Sequence, residues 1–118
     1  MSKRYEETLK EAKVFYSTLQ EVSCPALSNE SVVFNAMGLK HIIRKGRFIR
    51  QKNDQLRRFR LLKYAKDILA DPEVLPVHRK EESAEFWTFE KIYPDRKVIV
   101  IVRRLGNGNK HFFSIMDR

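Results

Sequence analysis

The run Val98-Ile99-Val100-Ile101-Val102 constrains the fold more than any other stretch of the chain. Every residue in it is branched at Cβ, which stiffens χ1 and favours the pleated backbone. A strand with one wet face alternates apolar and polar residues. An unbroken apolar run reads instead as a central strand buried on both faces. Its surroundings agree. Gly106-Asn107-Gly108-Asn109 is a hairpin turn signal, and Lys110 to Met116 follows as the last strand. Before it, Glu85 to Tyr93 is rich in aromatics (Phe86, Trp87, Phe89 and Tyr93) and reads as a neighbouring strand. Val74 to Lys80 is a candidate edge strand, since Pro76 has no N–H to give to a ladder.

The first half has a different period. Tyr5, Leu9, Ala12, Phe15, Tyr16 and Leu19 recur at helical spacing and predict a helix from Ser2 to about Val22. Pro25 and Ser28-Asn29-Glu30-Ser31 end it. Val32-Val33-Phe34 predicts a short strand. Asn35-Ala36-Met37-Gly38 then turns into a short helix, Leu39 to Lys45, which carries His41 and is broken by Gly46. A second long helix is expected from about Asn53 to Ala70, capped by Asn53 or Asp54 and stopped by Pro72. Leu56, Phe59, Leu62, Ala65, Ile68 and Leu69 form its buried stripe, with Arg57, Arg58 and Arg60 mostly outside it. The expected fold is one α+β domain of 118 residues, with N-terminal helices packed on an antiparallel sheet of roughly four strands.

The net charge of +9 is not spread over the chain. Between Lys40 and Lys63 lie ten basic residues, opposed only by Asp54; the remainder is balanced. A local positive field of this kind points to a phosphate-bearing partner. No apolar run approaches the ~20 residues that a membrane-spanning helix needs, and residues 1–21 do not read as a signal peptide. The single cysteine, Cys24, rules out an internal disulfide and a four-cysteine metal site. It reads as an inert thiol in an intracellular setting.

Few residues could carry chemistry. The three histidines, His41, His78 and His111, do not have metal-ligand spacing, and no metal or cofactor is expected. Phosphate loops, dinucleotide fingerprints and nucleophile elbows are absent from the sequence. What stands out is His41 inside the basic segment, with Lys40 beside it and Arg44 and Lys45 one helical turn on. Nearby cations lower an imidazole's pKa and keep it neutral, able to accept a proton near pH 7. The same cations can hold a phosphodiester and stabilise its developing charge. RNA brings its own nucleophile, the 2′-hydroxyl. His78 reads as a structural residue on an edge strand, and Trp87 as core. On the last strand, simple alternation sets Lys110, Phe112 and Ser114 on one face and His111, Phe113 and Ile115 on the other.

The stretch Phe34-Asn35-Ala36-Met37-Gly38-Leu39-Lys40-His41-Ile42-Ile43-Arg44-Lys45-Gly46, then Gln55-Leu56-Arg57-Arg58-Phe59-Arg60-Leu61-Leu62, then Lys110-His111-Phe112-Phe113-Ser114-Ile115, resembles a known group. It looks like the barnase/EndoU/colicin/RelE ribonuclease domains, in the phage-borne and colicin D-like branch. The resemblance covers roughly residues 32–118 and leaves out the first helix. It implies N-terminal helices on an antiparallel sheet. It also implies metal-independent RNA cleavage, often of tRNA, leaving a 2′,3′-cyclic phosphate. Many members are toxins at the C-terminal ends of larger secreted or phage proteins. They act in the cytoplasm and are restrained by an immunity protein, here expected to be acidic. By resemblance the catalytic histidine is His41. Its basic partner is Lys45, with Lys40 as the alternative, and the hydroxyl of the last strand is Ser114. Lys40, Arg44, Arg57, Arg58, Arg103, Lys110 and Phe112 are the candidate substrate-binding residues, with Trp87 a further choice beside Arg103 and Phe112. Two other readings share the same electrostatics: a basic RNA- or DNA-binding module without catalysis, and a domain whose basic face docks an acidic protein.

Overall fold

A computed structural model describes residues 2–118, with side chains from Arg4 onward. In chain order the elements are α1 (Ser2–Leu19), β1 (Glu21–Cys24), β2 (Glu30–Val33), α2 (Ala36–Ile43), β3 (Arg44–Lys45) and β4 (Phe48–Ile49). They continue with α3 (Lys52–Leu61), α4 (Ala65–Ala70), β5 (Val77–Glu81), β6 (Ala84–Tyr93), β7 (Arg96–Leu105) and β8 (His111–Asp117). The fold is α+β, as the two periods require. The valine–isoleucine run lies in β7, with β6 on one edge and β8 on the other. Val98, Ile99, Val100 and Val102 are buried, and Ile101 is half-buried.

The sheet is larger than the sequence suggests. It has six strands in the order β1-β2-β8-β7-β6-β5, rather than about four. It is also mixed: β5 to β8 form the expected antiparallel meander, but β2 joins β8 in parallel through Val33 and His111. The extra strand β1 falls where the helical stripe was expected to run on to about Val22. The helix stops at Leu19 because Gln20 turns to a left-handed φ of 50°. The chain then doubles back as the β1–β2 hairpin. The other long helix starts one residue early, at Lys52, and Gln51 precedes it without a side-chain cap. A 3-10 turn over Leu62–Tyr64 divides it into α3 and α4.

The core joins Ala12, Tyr16 and Leu19 of α1 to Phe59, Leu61, Leu62, Ala65, Ile68 and Leu69, and to Phe89, Val98, Val100 and Ile115 of the sheet. Phe15, expected in the stripe, is 40% exposed. Arg58, expected on the wet face, is buried. Its reason lies in the sheet. Because β2 pairs with β8 only at its start, the carbonyl of Ile115 is free of a strand partner on that side. Arg58 Nη1 donates to it at 2.9 Å and also reaches Ser114 Oγ at 3.3 Å. A helix side chain thus satisfies a sheet edge that would otherwise carry an unpaired acceptor.

The short helix α2 lies against β8, and Gly38 permits the approach. A Cβ at Gly38 would sit 2.6 Å from the backbone oxygen of Phe112, 2.6 Å from its ring and 2.5 Å from the Tyr16 hydroxyl. Alanine would add about 1 kcal/mol of helix propensity. The backbone oxygen cannot move aside, however, and overpacking a tight site costs about 1–3 kcal/mol. Gly38→Ala is therefore expected to be destabilising on balance, measured as a lower midpoint in urea with an unchanged m-value.

Candidate active site

The site is built outward from the corner between β2 and α2. Asn35 Oδ1 accepts from the Met37 N–H at 3.1 Å and caps α2. The Tyr16 hydroxyl donates to the Asn35 carbonyl at 2.6 Å, so α1 fastens the same corner. From there α2 lays His41 on Phe113, with ring centroids 4.2 Å apart and planes 25° apart. An open cleft of about 290 Å³ lies at this contact, lined by Met37, Lys40, His41, Arg44, Arg103 and Phe113.

Arg50 fixes the imidazole. Its Nε donates to the His41 carbonyl at 3.0 Å, and its Nη2 lies 3.3 Å from His41 Nε2. A guanidinium can only donate, which assigns Nε2 as the acceptor and the ring proton to Nδ1. Burial lowers the His41 pKa, and Arg50, Arg58, Arg103 and Lys45 lower it further, to about 4. The ring is neutral at pH 7. Asp54 organises the cations beneath it. It accepts from Arg57 Nη2 at 2.8 Å, Arg58 Nε at 3.2 Å and Arg50 Nη1 at 3.3 Å. Burial alone would raise the Asp54 pKa, but Arg58, Arg57 and Arg50 outweigh it and the carboxyl stays ionised. Asp54 faces three guanidinium groups, of which only Arg57 has a second carboxylate partner in Asp117, so this corner stays positive.

Four of the residues singled out in the sequence meet in the cleft: Lys40, His41, Arg44 and Arg103. Arg103 packs on the Phe113 ring, 4.3 Å from its centroid, and its Nε donates to His111 Nε2 at 3.1 Å. Its Nη2 is buried without a hydrogen-bond partner. His111 is buried too. Burial and then Arg103 lower its pKa, against a hydrogen bond to the Asn109 backbone. It aims Arg103 as a neutral acceptor.

The other residues go elsewhere, for identifiable reasons. α2 ends at Ile43, so Lys45 is not one turn along a helix from His41. It belongs to β3 and lines the adjoining cavity with Phe48, Ile49, Arg50 and Asp54. Arg57 pairs with Asp54 and Asp117 at the surface. Arg58 and Ser114 are buried against each other and line no part of the cleft. Lys110 pairs with Glu30 and lies 5.0 Å over the Trp87 ring. Phe112 is fully buried, stacked on Phe34 at 5.2 Å, and cannot receive a base.

The register of β8 explains this sorting. Ile101 faces Ser114 and Val102 faces Phe112, so Phe113 is an extra, unpaired residue in a β-bulge. The bulge breaks simple alternation: His111 and Ser114, expected on opposite faces, lie on one, since they pair with Arg103 and Ile101. Phe113, not Phe112, becomes the aromatic of the cleft. Arg50, Asp54 and Phe113 are the site members that sequence reasoning did not assign. Arg50 and Asp54 did offer a signal, an i,i+4 pair at the start of a helix. Phe113 is missed because alternation counted back from Ser114 crosses the bulge, which has no sequence mark here.

Among the described residues, no three histidine, cysteine, aspartate or glutamate side chains are grouped as a metal site needs, and no helix is long and apolar enough to cross a membrane. Comparison with known protein families, curated proteins and solved structures gives no match.

The two lowered imidazoles tie stability to pH. Unfolded histidines bind protons near pH 6.5, whereas folded His41 does so only near pH 4. Between those values the unfolded chain binds more protons, so stability rises with pH and is lost as pH falls from about 6.5 to 4. A His41→Gln variant should show a shallower loss of unfolding free energy over that window. A residual slope from His111 is expected, since its pKa is lowered as well.

Proposed function

We propose that the protein is a metal-independent endoribonuclease of the toxin type, with His41 as the general base. The observation that carries this reading is a neutral imidazole at the mouth of an open cleft whose walls are cationic: Lys40, Arg44 and Arg103 line the same space as His41. Its chemistry matches what RNA requires. The cations hold a phosphodiester over the imidazole. Arg50 Nη2 turns from His41 Nε2 to the phosphate, which frees the ring's lone pair.

His41 Nε2 then takes the proton of the 2′-hydroxyl. The 2′-oxygen attacks phosphorus and the bond to the 5′-oxygen breaks. The leaving oxygen takes a proton from the Lys40 ammonium, and the product strand ends in a 2′,3′-cyclic phosphate. The arginines stabilise the charge that gathers on the phosphoryl oxygens. Arg58, Ser114 and His111 act here as supports: Arg58 holds Asp54 and the Ile115 carbonyl, Ser114 accepts from Arg58, and His111 accepts from Arg103. tRNA is among the structured RNAs such a cleft could take. An acidic inhibitor protein would fit the same positive face.

The test is incubation with total cellular RNA in excess EDTA, beside His41→Ala. Fragments with cyclic-phosphate ends are expected from the parent chain. A loss of about 10²–10⁴-fold is expected in the variant, the usual worth of a general base. Intact RNA with salt-sensitive binding by both proteins would instead make the domain a binding module.

The pH profile is a second check. Only the neutral ring is active, so kcat/KM should fall as pH drops through about 4, the value for the free protein. Bound phosphate adds a negative charge beside the ring and favours its protonated form. The acid limb of kcat should therefore lie at higher pH than that of kcat/KM.

A further inference from the structure

The hairpin that follows α2 lends Arg44 to the cleft, but the rest of it has no part in the chemistry just described. β3 and β4 turn about Gly46, which takes the left-handed φ of 61° that suits glycine. The turn leaves Phe48 68% and Ile49 65% exposed, side by side on a two-residue strand. Adjacent exposed apolar side chains rimmed by charged residues mark a candidate contact surface. The hairpin is also basic: Arg44, Lys45 and Arg47 lie within it and no carboxylate does. The Arg47 guanidinium stands 5.3 Å from the centroid of the Phe48 ring.

Position decides what could cover it. Arg44 and Gly46 line the His41 cleft, while Lys45, Phe48 and Ile49 line the adjoining cavity. Arg50 belongs to both neighbourhoods, since it touches His41 and lines the second cavity. The hairpin is thus the wall between two adjacent hollows, one cationic and one with an exposed aromatic ring. A ligand spanning both must carry a phosphate and, next to it, a flat apolar group.

We propose that the β3–β4 hairpin is a stacking platform for an unpaired base flanking the phosphate held at His41, which makes single-stranded RNA, or an unpaired loop of a folded RNA, the substrate class. This rests on the reading of the cleft as a ribonuclease site. In a duplex both faces of each base are already stacked, so a ring like Phe48 can be used only by a base splayed from its neighbours. Arg47 lies over one face of the Phe48 ring, and a base would use the other. A bilayer surface would suit the charge but cannot enter the cleft.

The test uses the full chain carrying His41→Ala, so that bound RNA is not cut. Affinity is measured by fluorescence anisotropy for a short single-stranded RNA and for the same sequence as a duplex. Phe48→Ala is expected to weaken single-strand binding roughly 5- to 150-fold, the range for loss of one stacked base, and to leave duplex binding unchanged. The slope of log K against log salt should not change, because no phosphate contact is lost. Phe48→Trp should restore affinity. Ile92→Ala, which removes a side chain 80% exposed on β6, should have no effect.

Equal losses on both RNAs, or no loss on either, overturn the proposal. So does a Phe48→Ala chain that keeps its RNA affinity but no longer binds phosphatidylcholine–phosphatidylserine vesicles. If the chain with His41 intact cleaves RNA while Phe48→Ala binds as before, only the hairpin's role is lost. RNA neither bound nor cleaved by the parent chain removes both readings.

Discussion

The architecture around His41 depends on one close approach, that of α2 to β8 at Gly38. A glycine there brings the helix backbone within contact of the Phe112 ring and carbonyl and of the Tyr16 hydroxyl. Two consequences follow. The helix can reach the bulged part of β8, where Phe113 leaves the pleat and meets His41. Phe112, one residue earlier, points the other way into the Tyr16–Phe34 cluster. One stretch of backbone thus anchors the core on one side and floors the cleft on the other. A larger residue at position 38 would disturb both through a single displacement, which couples packing to the site.

The second constraint is electrostatic. Ten basic residues in one segment would repel one another if they stood free, and the fold separates them into roles. Arg58 caps a sheet edge, Arg57 bridges Asp54 to Asp117, and Arg50 clamps His41. Asp54 holds all three, and without it the arginines would face each other across a partly buried space. Lys40 and Arg44 remain at the cleft wall, and the hairpin carries Lys45 and Arg47. The imidazole's low pKa is the by-product of this crowding together with burial. An imidazole with a pKa near 4 is a weak base, and a negative charge beside the ring would raise that value.

Much of the fold was legible in local patterns. β7 announced itself by its branched apolar run, β6 by its aromatics and the β7–β8 turn by its glycines and asparagines. The helical stripes gave α1 and the long helix within a few residues at each end. Legibility failed where a short segment had no strong period of its own. The first half of β1, Glu21-Val22, reads as the tail of a helix because it follows a helical stripe; only pairing with β2 makes the segment a strand. Arg44 and Lys45 were read as helix for the same reason, and two-residue strands leave no periodic trace.

An α+β domain with a doubly buried central strand, a concentrated positive charge and a histidine within it can all be read along the chain. Those are properties of composition and of spacing along the chain, which local sterics and solvent exposure act on directly. The tertiary structure alone decided the parallel union of β2 with β8, the bulge that exchanges Phe112 for Phe113, and which cations stand free. A parallel pair joins residues far apart in sequence, Val33 with His111. A bulge changes every facing by one residue. An arginine's role is set by whichever acceptor lies within reach, such as the Ile115 carbonyl for Arg58. None of these leaves a mark on its immediate neighbours, because each is a contact between distant segments that exists only once the chain has packed.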